Sequence, residues 1–216
     1  MSRLTRVVDL HLLGPLACGL QTGAGTVLNY LKSEFASSIV IAGAGGVGLA
    51  AVMAAKISNC QNIIVIDIYA NRLELAKELG ATAVINSKNI EISVEEAIRS
   101  LVPEGVDYSI DTTGYSPIIK EMLHALRPSG TEVIIGMTGE LTLSVQEELM
   151  QDSKKLIGLV EGDSIPQLFI PKLVEYYKAG LFPFDKLIKL YPFQDVQKAI
   201  DAMLDGSVIK PIVTMD

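Results

Sequence analysis

An α/β fold built on a doubly wound parallel sheet is predicted by three observations. Apolar runs of strand length alternate with amphipathic stretches from Ser37 onward. The segment Gly43-Ala44-Gly45-Gly46-Val47-Gly48 links the first such run to a stretch rich in Ala and Met. Asp67 closes the second run, Ile63-Ile64-Val65-Ile66. Strand, G-x-G-x-x-G turn, helix, strand and acid in that order form a dinucleotide-binding arrangement. Gly43 permits the tight turn, Gly45 lets backbone approach a pyrophosphate, and Gly48 lets helix pack close on strand. The N–H groups of the following helix favour the negative charge, and Asp67 can accept from the adenosine ribose hydroxyls.

The elements follow in order. Residues 39–42 read as the first strand and 46–58 as its helix. Residues 63–67 form the second strand, and 72–79 carry a helical stripe of Leu73, Leu75, Ala76 and Leu79 that stops at Gly80. Residues 83–85 make a short third strand, 94–101 a helix ending before Pro103, and 107–111 the fourth strand. Ser116-Pro117 reads as a helix start with a capping hydroxyl, followed by an apolar face of Ile118, Ile119, Met122, Leu123 and Leu126. Pro128-Ser129-Gly130 breaks that helix, 133–135 form the fifth strand and 156–160 the sixth. This predicts a six-stranded Rossmann sheet of order 3-2-1-4-5-6. Beyond Gly162 come two amphipathic helices, 165–179 and 194–204, each followed by glycine, with Pro171 inside the first, and then a strand at 210–215.

With 216 residues and 49% hydrophobic content the chain can bury a sizeable core. The uncharged stretch from Phe35 to Ala55 has the length of a membrane span, but four glycines interrupt it and β-branched residues cluster before them. Strand-turn-helix accounts for that pattern. Net charge is −7 with no basic run, which argues against nucleic acid as a partner. Residues 1–6 contain no signal-type apolar region. Two cysteines, Cys18 and Cys60, make no disulfide framework, so a cytoplasmic setting is expected.

The flanks carry a resemblance. Gly14-Pro15-Leu16-Ala17-Cys18-Gly19-Leu20-Gln21-Thr22-Gly23-Ala24-Gly25 resembles the interdomain segment of zinc-dependent medium-chain alcohol dehydrogenases. Val160-Glu161-Gly162-Asp163-Ser164-Ile165-Pro166-Gln167, Phe182-Pro183-Phe184-Asp185 and Gly206-Ser207-Val208-Ile209-Lys210-Pro211 are similar to the aryl (benzyl) alcohol branch. The resemblance spans residues 13–215, the cofactor-binding part and C-terminal return of the family. It implies an interdomain helical segment over 1–36, an NAD-binding domain over 37–161 and a return segment over 162–216. The family's N-terminal GroES-like catalytic domain is expected to be missing, so that the chain reads as a fragment or a truncated reading frame.

The resemblance also implies roles. Cys18 matches a ligand of the catalytic zinc, and Thr22 a residue near the nicotinamide. Gly43, Gly45, Gly46, Val47 and Gly48 match the pyrophosphate loop, and Asp67 and Arg72 the acid and base beside the ribose. Thr112 and Thr113 lie beside the cofactor, the backbone of Ile135, Gly136 and Met137 matches residues that hold the carboxamide, and Leu159 and Val160 are its neighbours. Lys210 matches a basic residue facing the pyrophosphate. The implied activity is hydride transfer between a primary, aromatic alcohol and NAD, with alcohol or aldehyde as substrate and a homodimer formed through the sixth strand. Because the upstream zinc ligands are absent, Cys18 also reads as a small buried residue with no metal, and the chain as a non-catalytic NAD-binding, self-associating module. An S-adenosylmethionine-binding methyltransferase is the third reading. His11 and His124 sit in no matching motif, His124 reading as solvent-facing and Thr22 equally as a helix cap.

Overall fold

A computed structural model describes residues 8–215, so residues 1–6, read above for a signal region, lie outside it. Helix α1 (Leu10–Leu13) and a short 3-10 turn lead into α2 (Gly19–Gly25). Strand β1 (Ser38–Ala42), α3 (Gly46–Ile57), β2 (Asn62–Asp67), α4 (Ala70–Leu79), β3 (Ala83–Asn86), α5 (Val94–Leu101) and β4 (Val106–Asp111) follow. Next come α6 (Ser116–Ala125), β5 (Leu126–Ile134) and β6 (Lys155–Gly158). These six strands pair in parallel in the order β3-β2-β1-β4-β5-β6. Helix α7 (Pro166–Lys178) then precedes β7 (Ile188–Pro192), α8 (Val196–Leu204) and β8 (Lys210–Thr214).

Burial on both faces explains why β1 and β2 are largely apolar. Every residue of β1 is buried: Ile39 and Ile41 pack on the α3 side, Val40 and Ala42 on the side covered by α5 and α6. Helix α3 is buried from Gly48 to Ala55, so its outer side also needs a cover. That cover is α2, itself buried along its length. The two helices meet at Gly23, where a Cβ would fall on the carbonyl oxygen of Val47 and within 3.0 Å of the Ala51 nitrogen. The apolar stretch that has the length of a membrane span is thus a strand and a helix under cover. No helix among the described residues is long and apolar enough to cross a membrane.

Several boundaries differ from the sequence reading. Leu126 fits the apolar phase of α6, yet the helix stops at Ala125 and Leu126 opens β5 opposite Val106. The strand then runs through Pro128-Ser129-Gly130, where a register shift absorbs the extra residues and Ser129 takes φ +64°. Ser116 does not cap α6: the N-cap is Tyr115, with no side-chain bond, and the Ser116 hydroxyl donates to the Glu140 carbonyl. Strand β6 ends at Gly158, short of Val160. Strand β7 is absent from the sequence reading. It pairs in parallel with β8, so the tail is a small βαβ unit through α8. The glycine stops after α7 and α8 stand as expected, Gly180 and Gly206 taking φ +73° and +78°.

Replacing Gly23 by alanine should separate α2 from α3 and cost about 3 kcal/mol of stability. Urea unfolding of the variant beside the unchanged chain measures it, and an equal midpoint would contradict the packing described.

Candidate dinucleotide site

A cleft of about 690 Å³ opens at the carboxyl ends of β1, β2 and β4, lined in part by Gly43, Gly45, Asp67, Arg72, Thr112 and Thr113. It lies where the strand order reverses between β1 and β4, the position at which open α/β sheets bind ligands. Gly43 takes φ +93°, its N–H donating to the Ile66 carbonyl (2.8 Å). A Cβ there would strike the Thr112 hydroxyl, which donates to the Ala42 carbonyl (2.7 Å). A Cβ on Gly48 would fall on the Gly43 carbonyl oxygen, so α3 starts directly over the end of β1. Gly45 is the N-cap of α3 and brings no side-chain acceptor, while a Cβ built on it would meet nothing within 4 Å. The first N–H groups of α3 thus begin beside open space, a ready anion site. Lys210 reaches this turn from β8: a Cβ on Gly46 would lie 3.2 Å from its Cε.

Asp67 is nearly buried and tied on both sides. One oxygen accepts from the Ala44 N–H (2.7 Å) and the other from the Tyr69 N–H (2.8 Å). Each carboxylate oxygen keeps a further lone pair, so the acid can hold the turn and still accept from a hydroxyl in the cleft. The Arg72 guanidinium stacks on the Tyr69 ring at 4.7 Å, with its Nε buried and without a partner. Ile68, Ile90 and Ile92 give the outer part of the cleft an apolar lining. Polar groups at the turn and an apolar slot beyond it suit a phosphate-bearing ligand that ends in a flat base.

The other predicted residues lie outside the cleft lining. Thr22 sits inside α2 rather than at its start, and its hydroxyl donates to the Cys18 carbonyl (2.9 Å). Leu159 donates its N–H to the Ile134 carbonyl (3.0 Å), and Met137 and Val160 are exposed. The Ile135 and Gly136 N–H groups both donate to the Asp111 carbonyl (2.9 and 3.1 Å). Asp111 is a residue that sequence reasoning missed. Fully buried, it accepts from the Thr113 N–H (3.0 Å) and hydroxyl (2.6 Å) and from the Gly114 N–H (2.9 Å). It thereby fixes the cleft wall, and Asp-Thr-Thr-Gly at a strand end was the available signal.

The donor set for a catalytic zinc does not fit. Such a site takes three protein ligands. Cys18 is exposed and not buried as its sequence reading has it, His11 is bonded to Asp9 (2.8 Å), and no three His, Cys, Asp or Glu residues among those described group as a metal site. His124 departs from its solvent-facing reading. It is half-buried, 2.7 Å from Glu148 and 3.7 Å from Glu95, in a second cleft shared with Lys120, Arg99 and Lys154. Burial works to raise the Glu148 carboxyl, but hydrogen bonds from His124, the Ser144 N–H and Lys120 outweigh it and bring it down to about 2.

A family model described as zinc-binding dehydrogenase matches residues 46–175. The chain belongs to the zinc-type alcohol dehydrogenase family. A geraniol dehydrogenase of Castellaniella defragrans is 37% identical over 208 residues, covering 95% of this chain and 56% of that protein. Alcohol dehydrogenase 1 of Solanum tuberosum is 32% identical over 219 residues, with 100% and 58% covered. The crystal structure of benzyl alcohol dehydrogenase from Acinetobacter calcoaceticus superposes with a TM-score of 0.93 at 42% identity, covering 98% of this chain and 59% of that one. The chain therefore spans a little over half the length of these relatives. The family is one of dehydrogenases.

Proposed function

We propose that the chain binds NAD(H) in the cleft between β1, β2 and β4. The observation that carries this reading is the Asp67 carboxylate at the end of β2, held beside a glycine turn whose helix begins without a side-chain cap. Gly43, Gly45, Gly46, Val47 and Gly48 would form the pyrophosphate loop, with the Lys210 ammonium offsetting its charge. Asp67 would accept from the ribose hydroxyls beside Arg72. Thr112 and Thr113 would flank the cofactor, and the Ile135, Gly136 and Met137 backbone would lie at its carboxamide, with Leu159, Val160 and Thr22 around the nicotinamide. NAD, when bound, supplies the hydride acceptor. In the family reaction the donor is proposed to be a primary, aromatic alcohol, a choice supported by the benzyl alcohol dehydrogenase likeness. Residues 1–36, 37–161 and 162–216 are taken as linker helices, cofactor domain and return segment, in a cytoplasmic protein.

For the chain on its own we propose binding without turnover, since its described residues fall short of the three protein ligands of a catalytic zinc. Self-association is proposed through β6, an edge strand of the sheet with unpaired backbone on its outer side. A second copy related by a twofold axis would pair with it antiparallel.

NAD is expected to bind more tightly than NADP by about tenfold or more, because a 2′-phosphate would meet the Asp67 charge and lose its hydrogen bond. Calorimetric titration giving NADP the tighter binding would overturn the role of Asp67. After dialysis the chain should retain no stoichiometric zinc and form no NADH from benzyl alcohol. Turnover abolished by Cys18→Ser would show that the chain completes a working metal site. Light scattering should return the mass of a dimer, and a monomer at high concentration counts against pairing through β6.

A further inference from the structure

Glu132 lies within β5, fully buried, and neither carboxyl oxygen has a hydrogen-bond partner. Its register neighbour on β4 is Ser109, also fully buried, with an unpartnered hydroxyl. Paired residues of parallel strands point to the same face, and residues two apart along a strand share that face. Glu132, Ser109 and Asp111 therefore stand together on one side of the sheet. It is the side of Val40 and Ala42, packed with Met122 and Leu123 of α6. Asp111 is the acid that ties the Thr113–Gly114 turn on the cleft wall.

A buried carboxylate without hydrogen bonds costs far more than a buried neutral acid. Burial, and after it the Asp111 charge, push the Glu132 carboxyl well above the usual range, while Lys154 opposes them. The remaining charged groups nearby are engaged elsewhere. Lys120 and His124 of α6 pair with Glu148, Glu121 of α6 accepts from the Val94 and Glu95 N–H groups, and Arg99 of α5 pairs with Glu95. Arg127 of β5 pairs with Asp107, and Lys155 of β6 is in register with Thr131, whose side chain takes the opposite face.

We propose that Glu132 is a proton-dependent positioning residue for the cleft: as a neutral acid it leaves the Asp111 carboxylate on the Thr113–Gly114 turn, and losing its proton loosens that turn and weakens dinucleotide binding. This rests on the reading of the cleft as a nucleotide site. Two carboxylates on adjacent strands of one buried face repel, and the pair relieves this when Asp111 turns away. That movement removes acceptors from the Thr113 N–H and hydroxyl. The Thr113 hydroxyl in turn accepts from the Tyr115 N–H (3.0 Å), so the disturbance reaches Thr112, Thr113 and Tyr115, which line the cleft. Linkage gives the sign for stability. The folded chain keeps a proton that the unfolded chain loses above its ordinary value of 4.5, so stability falls as pH rises beyond that point and the fall ends at the folded value.

The test uses the full chain and Glu132→Gln, which mimics the neutral acid. NAD affinity and amide exchange at Thr113 and Gly114, corrected for intrinsic rates, are followed between about pH 6 and pH 10. The unchanged chain should lose about fivefold or more in affinity at the alkaline end, with faster exchange at both amides, while Glu132→Gln changes less than about twofold. Equal loss in both proteins, or no loss in either, overturns the proposal. If NAD fails to bind at acid pH, the nucleotide reading fails, and the exchange profile still decides the link between Glu132 and the turn. Should Glu132→Gln not fold, carbon NMR of labelled glutamate in the unchanged chain decides. A Glu132 carboxyl still protonated at neutral pH supports the proposal, and one that titrates with the surface glutamates contradicts it.

Discussion

A Cβ on Gly48 would occupy the place of the Gly43 carbonyl oxygen, and a Cβ on Gly23 that of the Val47 carbonyl oxygen. These two close approaches stack the turn after β1, the start of α3 and the middle of α2 with no side chain between the backbones. The remainder of the molecule follows from that stack. Because α3 sits so near β1, its first N–H groups open directly onto the cleft. Because α2 lies so near α3, the helix that is apolar on all sides is covered without a membrane or a partner. Fixing both distances with glycine costs conformational entropy in the unfolded chain, and the buried strands on either side offset it.

The same stack recruits the tail. Gly162 takes φ +64° where a Cβ would meet the Thr22 carbonyl, so the chain leaving β6 closes onto α2. Further on, the Gly206 carbonyl accepts from the Asn71 side chain (3.1 Å), and Lys210 arrives over Gly46. The return segment thus brings a cation to the turn where α3 leaves its N–H groups open. On the far side, Asp111 joins the ends of β4 and β5. Chemistry concentrates where the sheet's order reverses, and the charge there is held by backbone donors rather than by ion pairs.

The strands most legible in the sequence are those whose side chains are buried on both faces, since β1 and β2 read as apolar runs at nearly their observed bounds. Legibility fails where tertiary pairing overrides local pattern. Leu126 fits the stripe of α6 but is drawn into the sheet by Val106, and β7 depends on β8, which lies beyond a whole helix. The glycine turn and Asp67 were readable because backbone approach and charge demand particular residue types. Asp111 was signalled only by Asp-Thr-Thr-Gly at a strand end, and Glu132 not at all, because its significance lies in which strand stands beside it. His124 reads as a surface residue on its own helix, and its partners Glu95 and Glu148 come from α5 and from the segment before β6.

The central claim is that the stacked turn presents an anion-binding helix start beside Asp67. Backbone amide NMR of the isotopically labelled chain during NAD titration tests it most directly. The account predicts that the largest shifts fall on Gly45, Gly46 and Val47 and on Ile68, following the turn and the end of β2. Shifts confined to the cleft around His124 and Glu148, or none at saturating NAD, would contradict it.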